Sequence, residues 1–181
     1  MEQHTRSKAQ GAIHFFTVRL ADRKSTLLVD NVDLLRQTMR LTMQRYPFEI
    51  DAIVILPSTI HTLWTLPKSD TDVRARWHFL KSAFSRALPM PEDRAAVQRS
   101  RKEKGIWQSR FWEHRISSKQ DLALHRYLIR TAPVQNGLAA KPEDWTWTSL
   151  HRDLANCDTA VNSERPERFN NLNLKAKVSA L

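Results

Sequence analysis

The chain has 181 residues and carries 29 Lys or Arg against 19 Asp or Glu, which gives a formal net charge of +10. An excess of this size indicates a polyanionic partner, either nucleic acid or an anionic membrane surface. A single cysteine, Cys157, excludes a disulfide framework and a cysteine-based zinc site. No apolar run approaches the roughly 20 residues that span a bilayer, and the N-terminus has no apolar signal segment. These features predict a soluble, intracellular protein.

Apolar patterns of two periods divide most of the chain into strands and helices. Asn31 is placed to cap the first helix. Ser118 and Asp121 have the spacing of a capping box at the start of the last one. We expect Pro133 and Gly137 to end that helix. In chain order the predicted elements are a strand over 12–20, a helix over 31–45, strands over 48–57 and 60–67, a helix over 69–88, a strand over 106–116 and a helix over 117–130.

The order of these elements predicts the fold class. The second and third strands are separated by only three residues, which favours a hairpin. The succession β-α-β-β-α-β-α then predicts an α+β fold, a ferredoxin-like split β-α-β antiparallel sheet with helices packed on one face and a C-terminal appendix. Trp64 and Trp77 fall on apolar faces and are expected in the core. Trp145 and Trp147 are expected to fold the appendix back onto the body.

Three stretches differ in composition from this core. Residues 1–10 are polar and predict a flexible N-terminus, and residues 155–181 are rich in Asn, Arg and Lys and predict a weakly ordered tail. Residues 89–105 are bounded by prolines and strongly basic, which predicts an exposed, mobile loop. The single domain is therefore expected over 11–154.

Several segments of that domain form a recognisable series: GAIHFFTVRL, PFEIDAIVILP, HTLWTLP, RWHFLKSAFSRALP, GIWQSRFWEH, PVQNGL and DWTWTSLHRDL. By these segments the chain resembles the REP-associated tyrosine transposases, members of the wider HUH family of single-strand DNA transposases. The resemblance implies that two histidines flanking a hydrophobic residue hold a divalent metal ion, which polarises the scissile phosphate. It also implies a helical tyrosine that attacks the phosphorus and a polar residue one turn further on that completes the metal site.

Three of the four positions that the resemblance assigns to this chemistry hold other residue types. His61 remains as the second histidine, but Thr59 stands at the position of the first. Leu128 stands at the tyrosine position and Ala132 at the asparagine position. Tyr127 is displaced by one residue, which turns a helical side chain by about 100°. These substitutions predict that cleavage by the family's route has been lost, and that no cofactor is bound unless catalysis survives with Mg²⁺ or Mn²⁺.

Two other histidines, His114 and His125, are further candidates for a site. His125 precedes Leu128 by three residues and could approach His61 to form a new two-histidine metal site. Glu113 and His114 resemble an acid–base pair, but neighbours on a strand point to opposite faces. His61 itself could be a core histidine with one hydrogen bond.

Basic and aromatic residues form the candidate DNA surface. Trp107 and Trp112 alternate with polar side chains, which suits stacking on unpaired bases or, equally, an aromatic cover for a sheet edge. The basic residues suit contacts with phosphate groups, which give affinity without sequence choice. The candidate DNA-binding residues are Arg74, Lys81, Arg86, Arg99, Arg101, Lys102, Lys104, Trp107, Arg110 and Trp112.

The leading hypothesis is a transposase-family protein, monomeric or homodimeric, that recognises hairpin or single-stranded repeat DNA and has lost strand cleavage. We expect it to be cytoplasmic, associated with the bacterial nucleoid, and without a membrane partner. DNA would lie over the sheet near His61 and the helix over 117–130. One alternative is an active nuclease or transposase with a rearranged site, in which Tyr127 is the nucleophile and His61 a metal ligand. The other is a decayed remnant without activity.

Overall fold

The computed structural model describes residues 11–68, 70, 72–89 and 105–157, with the backbone alone over 155–157. The predictions for residues 1–10, most of the basic loop over 89–105 and most of the tail over 155–181 lie outside the described residues. In chain order the elements are β1 (Ile13–Arg19), α1 (Leu27–Asp30), α2 (Val32–Arg45), β2 (Glu49–Ile55), β3 (Thr59–Thr65), α3 (Val73–Ala87), β4 (Trp112–Arg115), α4 (Lys119–Gln135), a 3₁₀ turn (Pro142–Asp144) and α5 (Leu150–Cys157).

Four strands form one antiparallel sheet in the described part of the chain, in the order β2-β3-β1-β4. β3 is inserted between β1 and β2, which the helical segment α1–α2 connects, so the split β-α-β arrangement and the α+β class are confirmed. The hairpin between β2 and β3 is also present. The strand predicted over 106–116 is shorter than expected, since only Trp112–Arg115 pairs along β1, with an isolated bridge between Leu20 and Trp107.

The sheet is apolar on both faces, and helices cover both. Successive side chains of a strand point to opposite sides, and in β1 both Phe15 and Phe16 are buried. The face of Phe16 packs against α2 and α3, and the face of Phe15 packs against Ile129 of α4. The expected packing of helices on one face therefore does not hold for α4. Trp64 and Trp77 lie in the larger core as predicted, with ring centroids 4.3 Å apart.

The ends of α4 differ from the sequence prediction in two details. Ser118 caps the helix by accepting the Asp121 N–H, but the Asp121 carboxylate accepts from the Ser117 N–H, so the reciprocal half of the capping box is replaced. Pro133 lies inside the last turn and does not end the helix, because the Asn136 N–H still donates to the carbonyl of Ala132. Gly137, with φ of 68°, follows the end of the helix as predicted. Asn31 precedes α2, but its side chain makes no capping hydrogen bond there.

The C-terminal segment folds back onto the free edge of β2, as predicted from its tryptophans. The Ile55 N–H donates to the carbonyl of Trp147 at 2.8 Å, and the Ser149 N–H donates to the carbonyl of Ile53 at 2.8 Å. The indole N–H of Trp145 donates to the carbonyl of Ile55 at 3.0 Å. An otherwise unpaired edge strand is thereby covered. Among the described residues, none of the helices has the length and apolarity needed to cross a bilayer.

A buried cation fixes the start of α3. Arg76 is fully buried and donates to both carboxylate oxygens of Asp70, at 3.2 and 3.0 Å. It also donates to the carbonyls of Asp72 and Pro47, at 2.8 and 2.9 Å. Asp72 caps the helix through the Ala75 N–H. One guanidinium thus ties the segment before α3 to the segment before β2.

Candidate functional site

His61, the surviving histidine of the predicted metal site, is a buried residue on the α4-facing side of β3. Its Nδ1 lies 2.9 Å from Thr17 Oγ1, and its ring stacks on Phe15 with a centroid separation of 6.0 Å. Burial and, to a smaller extent, repulsion from Arg19 lower the pKa of His61 to about 4. The imidazole is therefore neutral at physiological pH and sits in the wall of the core.

The other positions that the resemblance assigned to the metal lie on the same side of the sheet. Thr59 is buried and two residues before His61 on β3, so both side chains share one face. Ala132 of α4 belongs to the apolar cluster on that face, together with Phe15 and Leu63. These positions thus share one side of the sheet, where they carry one imidazole, one hydroxyl and one methyl group.

Tyr127 and Leu128 differ in exposure as the helical rotation predicts. Tyr127 is 40% exposed, whereas Leu128 is half-buried. The buried residues of α4 are His125, Ile129, Ala132 and Pro133. Ile129 and Ala132 pack in the apolar cluster on the sheet, and His125 contacts Phe15 of β1. The phenol of Tyr127 therefore lies on the solvent side of α4, away from the face that carries Ala132.

A second set of polar side chains lies where β4 meets the first turns of α4. It consists of His114, Asp121 and His125, here named the His-Asp-His cluster, and one ligand-type atom from each lies within 4.8 Å of the others. His114 Nε2 lies 2.9 and 3.1 Å from the two carboxylate oxygens of Asp121. His125 Nδ1 lies 3.0 Å from Asp121 Oδ1 and 2.9 Å from the Asp121 carbonyl.

Hydrogen bonds keep the carboxylate of this cluster ionised. Burial alone would raise the pKa of Asp121, but hydrogen bonds from the Ser117 backbone, from His114 and from the Ser117 hydroxyl lower it to about 2. Burial lowers the pKa of His125, although its contacts with Asp121 oppose this effect. At neutral pH the cluster therefore holds an anionic carboxylate beside a neutral buried imidazole.

The cluster differs from both pairings that the sequence suggests, His61 with His125 and Glu113 with His114. His125 joins His114 and Asp121 and is not paired with His61. Glu113 and His114 point to opposite faces as expected, and Glu113 contacts His14 at 2.8 Å on the other side of the sheet. The cluster has a local signal in the four-residue spacing of Asp121 and His125, which share one helix face. The approach of His114 depends on the pairing of β4, which local sequence does not reveal.

The candidate DNA-binding residues of α3 lie on the far layer from His61. Helix α3 packs on the sheet face opposite to α4. Arg74 and Arg86 are exposed there, but Lys81 is partly buried and donates to the carbonyl of Gln108 at 2.9 Å. Burial lowers the pKa of Lys81 to about 8. The lysine thus fastens the segment before β4 to α3. Arg99, Arg101, Lys102 and Lys104 lie outside the described residues.

The two tryptophans proposed for base stacking lie on different layers of the molecule. Trp107 packs against Phe84 on the α3 side, with ring centroids 5.5 Å apart. Trp112 packs against Phe15 on the α4 side, with centroids 5.4 Å apart. They do not form one continuous aromatic surface. Arg110 is exposed in the segment between them.

Comparison with known proteins is consistent with this fold and these motifs. No family model matches the chain. It is 39% identical over 155 residues to a REP-associated tyrosine transposase of Haemophilus influenzae, a match that spans 85% of this chain and 88% of that protein. It is 36% identical over 155 residues to the REP-associated tyrosine transposase of Escherichia coli K12, spanning 86% of each.

The chain is also similar to a protein of known structure. The structure of a REP-associated tyrosine transposase bound to a REP hairpin superposes with a TM-score of 0.70 at 33% identity, covering 94% of this chain and 99% of that one. The chain belongs to the REP-associated tyrosine transposase family. The resemblance drawn from the motifs is thereby confirmed.

The divalent metal ion that the family implies is a poor match to the residues at its expected site. Mg²⁺ and Mn²⁺ require several strong ligands, mainly oxygen donors. Here Thr59 offers a neutral hydroxyl, Ala132 offers no donor, and His61 Nδ1 is already engaged with Thr17. These residues do not fit the ion.

Proposed function

We propose that this protein binds hairpin or single-stranded repeat DNA as a member of its transposase family, and that it no longer cleaves the strand through a tyrosine nucleophile. DNA binding is supported by the family, by the hairpin bound to the relative of known structure, and by the net charge of +10. Loss of cleavage is supported by one observation: Thr59, Leu128 and Ala132 stand where the family has a histidine, the tyrosine nucleophile and an asparagine.

The physical reason is the chemistry that these side chains lack. Attack on a phosphodiester needs a nucleophilic oxygen beside the phosphorus and a group that neutralises the developing charge. An isobutyl group at position 128 supplies no nucleophile. Thr59 and Ala132 leave His61 as a single neutral imidazole, which is too weak a site for a divalent ion at physiological concentrations.

A gel-shift titration with a stem-loop DNA tests the binding part. We expect a shifted complex whose observed association constant falls as salt rises, with a log–log slope of about −0.7 for each phosphate contact to a single strand. A double charge reversal, Arg74→Glu with Arg110→Glu, is expected to weaken the complex and flatten the slope. The absence of a complex even at low salt would refute binding and favour the decayed remnant.

Incubation with labelled DNA and Mg²⁺ or Mn²⁺, followed by denaturing electrophoresis, tests the catalytic part. We expect no covalent protein–DNA adduct. An adduct that disappears in Tyr127→Phe would instead support the rearranged enzyme, with Tyr127 as the nucleophile. The exposure of Tyr127 on the solvent side of α4 is the observation against that alternative.

A further inference from the structure

The His-Asp-His cluster carries an inference that does not depend on DNA binding. Its three members come from β4 and from two positions one turn apart on α4, so one strand pairing and one helix bring them together. Among the described residues it is the one group of three or more potential metal-ligating side chains close enough to share an ion. Its members are other residues than Thr59 and His61, the β3 positions that the family would use, and the ring of Phe15 contacts both His61 and His125.

The spacing of the donors suits a first-row transition metal. A tetrahedral ion with ligand bonds of about 2.0–2.1 Å has donors about 3.4 Å apart. One carboxylate oxygen, Asp121 Oδ1, lies 3.1 Å from His114 Nε2 and 3.0 Å from His125 Nδ1. Each nitrogen would move about 0.3–0.4 Å away from Oδ1 to reach the spacing of ion ligands. All three donor atoms already lie within 4.8 Å of one another.

The donors are held in place by their surroundings. The rings of His114 and His125 stack with centroids 4.8 Å apart and an interplanar angle of 18°. Trp112 stacks on His114 from the same strand, and the ring centroids of Phe15 and His125 lie 4.6 Å apart. The Ser117 N–H and hydroxyl both bond to Asp121 Oδ2, which fixes the carboxylate as supporting groups do in metal sites.

The cluster is open on one side. The side chain of His125 is 8% exposed and that of Asp121 15%, whereas that of His114 is 37% exposed. An ion could enter past His114 and keep water or another small ligand at the remaining position. Structural zinc sites are closed by four protein ligands, whereas catalytic zinc sites have three protein ligands and one open position. The His-Asp-His cluster, with three ligands and one open side, corresponds to the catalytic class.

We propose that His114, Asp121 and His125 bind one divalent transition-metal ion of the zinc type, through two imidazole nitrogens and one carboxylate oxygen. The ion takes the place of the N–H hydrogens that the imidazoles direct at Asp121. A neutral imidazole then carries its one proton on the other ring nitrogen, and a ring that starts as an imidazolium releases its second proton to the solvent. Two nitrogens and one oxygen favour Zn²⁺ or Co²⁺ over Mg²⁺, which takes oxygen ligands and retains water. The site therefore differs in both position and preferred ion from the one that the family implies.

Isothermal titration of the metal-stripped full-length protein with Zn²⁺ tests the site. We expect one ion per chain, with affinity reduced at least about 100-fold in His125→Gln and in Asp121→Asn. Replacement by Co²⁺ should give an intense visible absorption band typical of four-coordinate cobalt, which those two variants lose. Three matched controls, His61→Gln, His78→Gln and Cys157→Ser, should bind as the unchanged chain does.

Two outcomes would overturn the proposal. One is an absence of binding at a tenfold excess of Zn²⁺. The other is binding that His125→Gln leaves intact and a control substitution removes. Circular dichroism of each variant shows whether it is folded.

A measurement on the unchanged chain avoids any dependence on the folding of variants. Diethyl pyrocarbonate modifies accessible imidazoles, and mass spectrometry locates the adducts. Zn²⁺ should protect His114 and leave exposed His78 reactive, whereas equal modification of His114 with and without Zn²⁺ would refute the site.

Discussion

Thr17 and His61 face each other across β1 and β3, with the hydroxyl oxygen of the threonine 2.9 Å from Nδ1 of the imidazole. The contact satisfies one ring nitrogen inside the core, and Phe15 covers one face of the ring. A residue that the resemblance assigned to metal binding is therefore used here as a packed, hydrogen-bonded core residue. It follows that protonation of His61 should disturb the fold itself.

The stability of the protein is expected to fall as pH decreases through the titration of His61. The native pKa is lowered from 6.5 to about 4, so between these values the unfolded chain binds more protons than the native one. The free energy of unfolding should therefore decrease from about pH 6.5 down to pH 4, by up to about 3 kcal/mol from this group, and level off below. Urea denaturation at a series of pH values measures this change in the free energy of unfolding. His125, whose pKa is also lowered, adds to the loss in the same direction.

Two variants isolate the contribution of His61. Glutamine at this position keeps a donor and an acceptor but does not titrate, so His61→Gln should flatten the pH dependence in this window. His78 is exposed on α3, and His78→Gln should leave the curve of the unchanged chain intact. A His61→Gln curve as steep as that of the unchanged chain would show that His61 is not the titrating group.

Arg76 is expected to be far more sensitive to substitution than its neighbour Arg74. Lysine cannot span both Asp70 oxygens and two carbonyls at once, because it lacks the planar fork of donors. Arg76→Lys should lower the free energy of unfolding by about 2–4 kcal/mol, since it leaves a poorly paired buried charge. Arg74→Lys, two positions away on the exposed side of α3, should stay within about 0.5 kcal/mol. Chemical denaturation compares them, and equal small effects would contradict the role assigned to Arg76.

The segment around Ser149 is expected to protect the edge of β2. Its hydroxyl accepts the Ile53 N–H at 3.0 Å, so Ser149→Ala leaves that amide without its side-chain acceptor. We expect a loss of about 1 kcal/mol and faster hydrogen exchange at the Ile53 amide. Ser109→Ala, in the exposed segment before β4, is the control. Unchanged exchange at Ile53 in Ser149→Ala would show that the segment does not protect this edge.

The fold could be predicted largely because its patterns are local. The three-residue link between β2 and β3 fixes the hairpin, and Trp64 and Trp77 mark the larger core by strand and helix periodicity. The side of the sheet that α4 covers could not be predicted, since β1 is apolar on both faces and both Phe15 and Phe16 are buried. The helix α4 continues past Pro133, because the Asn136 N–H still donates a hydrogen bond to the carbonyl of Ala132.

The candidate site could be predicted only in part, for a similar reason. The presence of Thr59 and Leu128 at the histidine and tyrosine positions can be read directly from the chain. The helical rotation of about 100° per residue also predicts the exposure of Tyr127 on the solvent side of α4. The grouping of His114 with Asp121 and His125 depends on the register of β4 against β1, which aligns His114 with Phe15. Long-range pairing of this kind has no local signal in the residues themselves.

Restoration of the family's residues is expected to restore cleavage, because Thr59, His61 and Ala132 already line the same side of the sheet. The triple variant Thr59→His, Leu128→Tyr and Ala132→Asn should form a covalent adduct with labelled stem-loop DNA in the presence of Mg²⁺ or Mn²⁺. Asparagine at the buried position 132 adds polar volume and should cost about 1–3 kcal/mol, so circular dichroism must first show a folded protein.

The matched control carries Leu128→Phe in place of Leu128→Tyr, with the other two substitutions retained. It presents the same ring without the hydroxyl and should form no adduct, since no nucleophile is present. A folded triple variant that binds DNA but forms no adduct would mean that the scaffold has lost more than its donors and nucleophile. An adduct in the phenylalanine control would show that another residue attacks the phosphorus. Tyr127→Phe in that background would then test whether Tyr127 is this nucleophile.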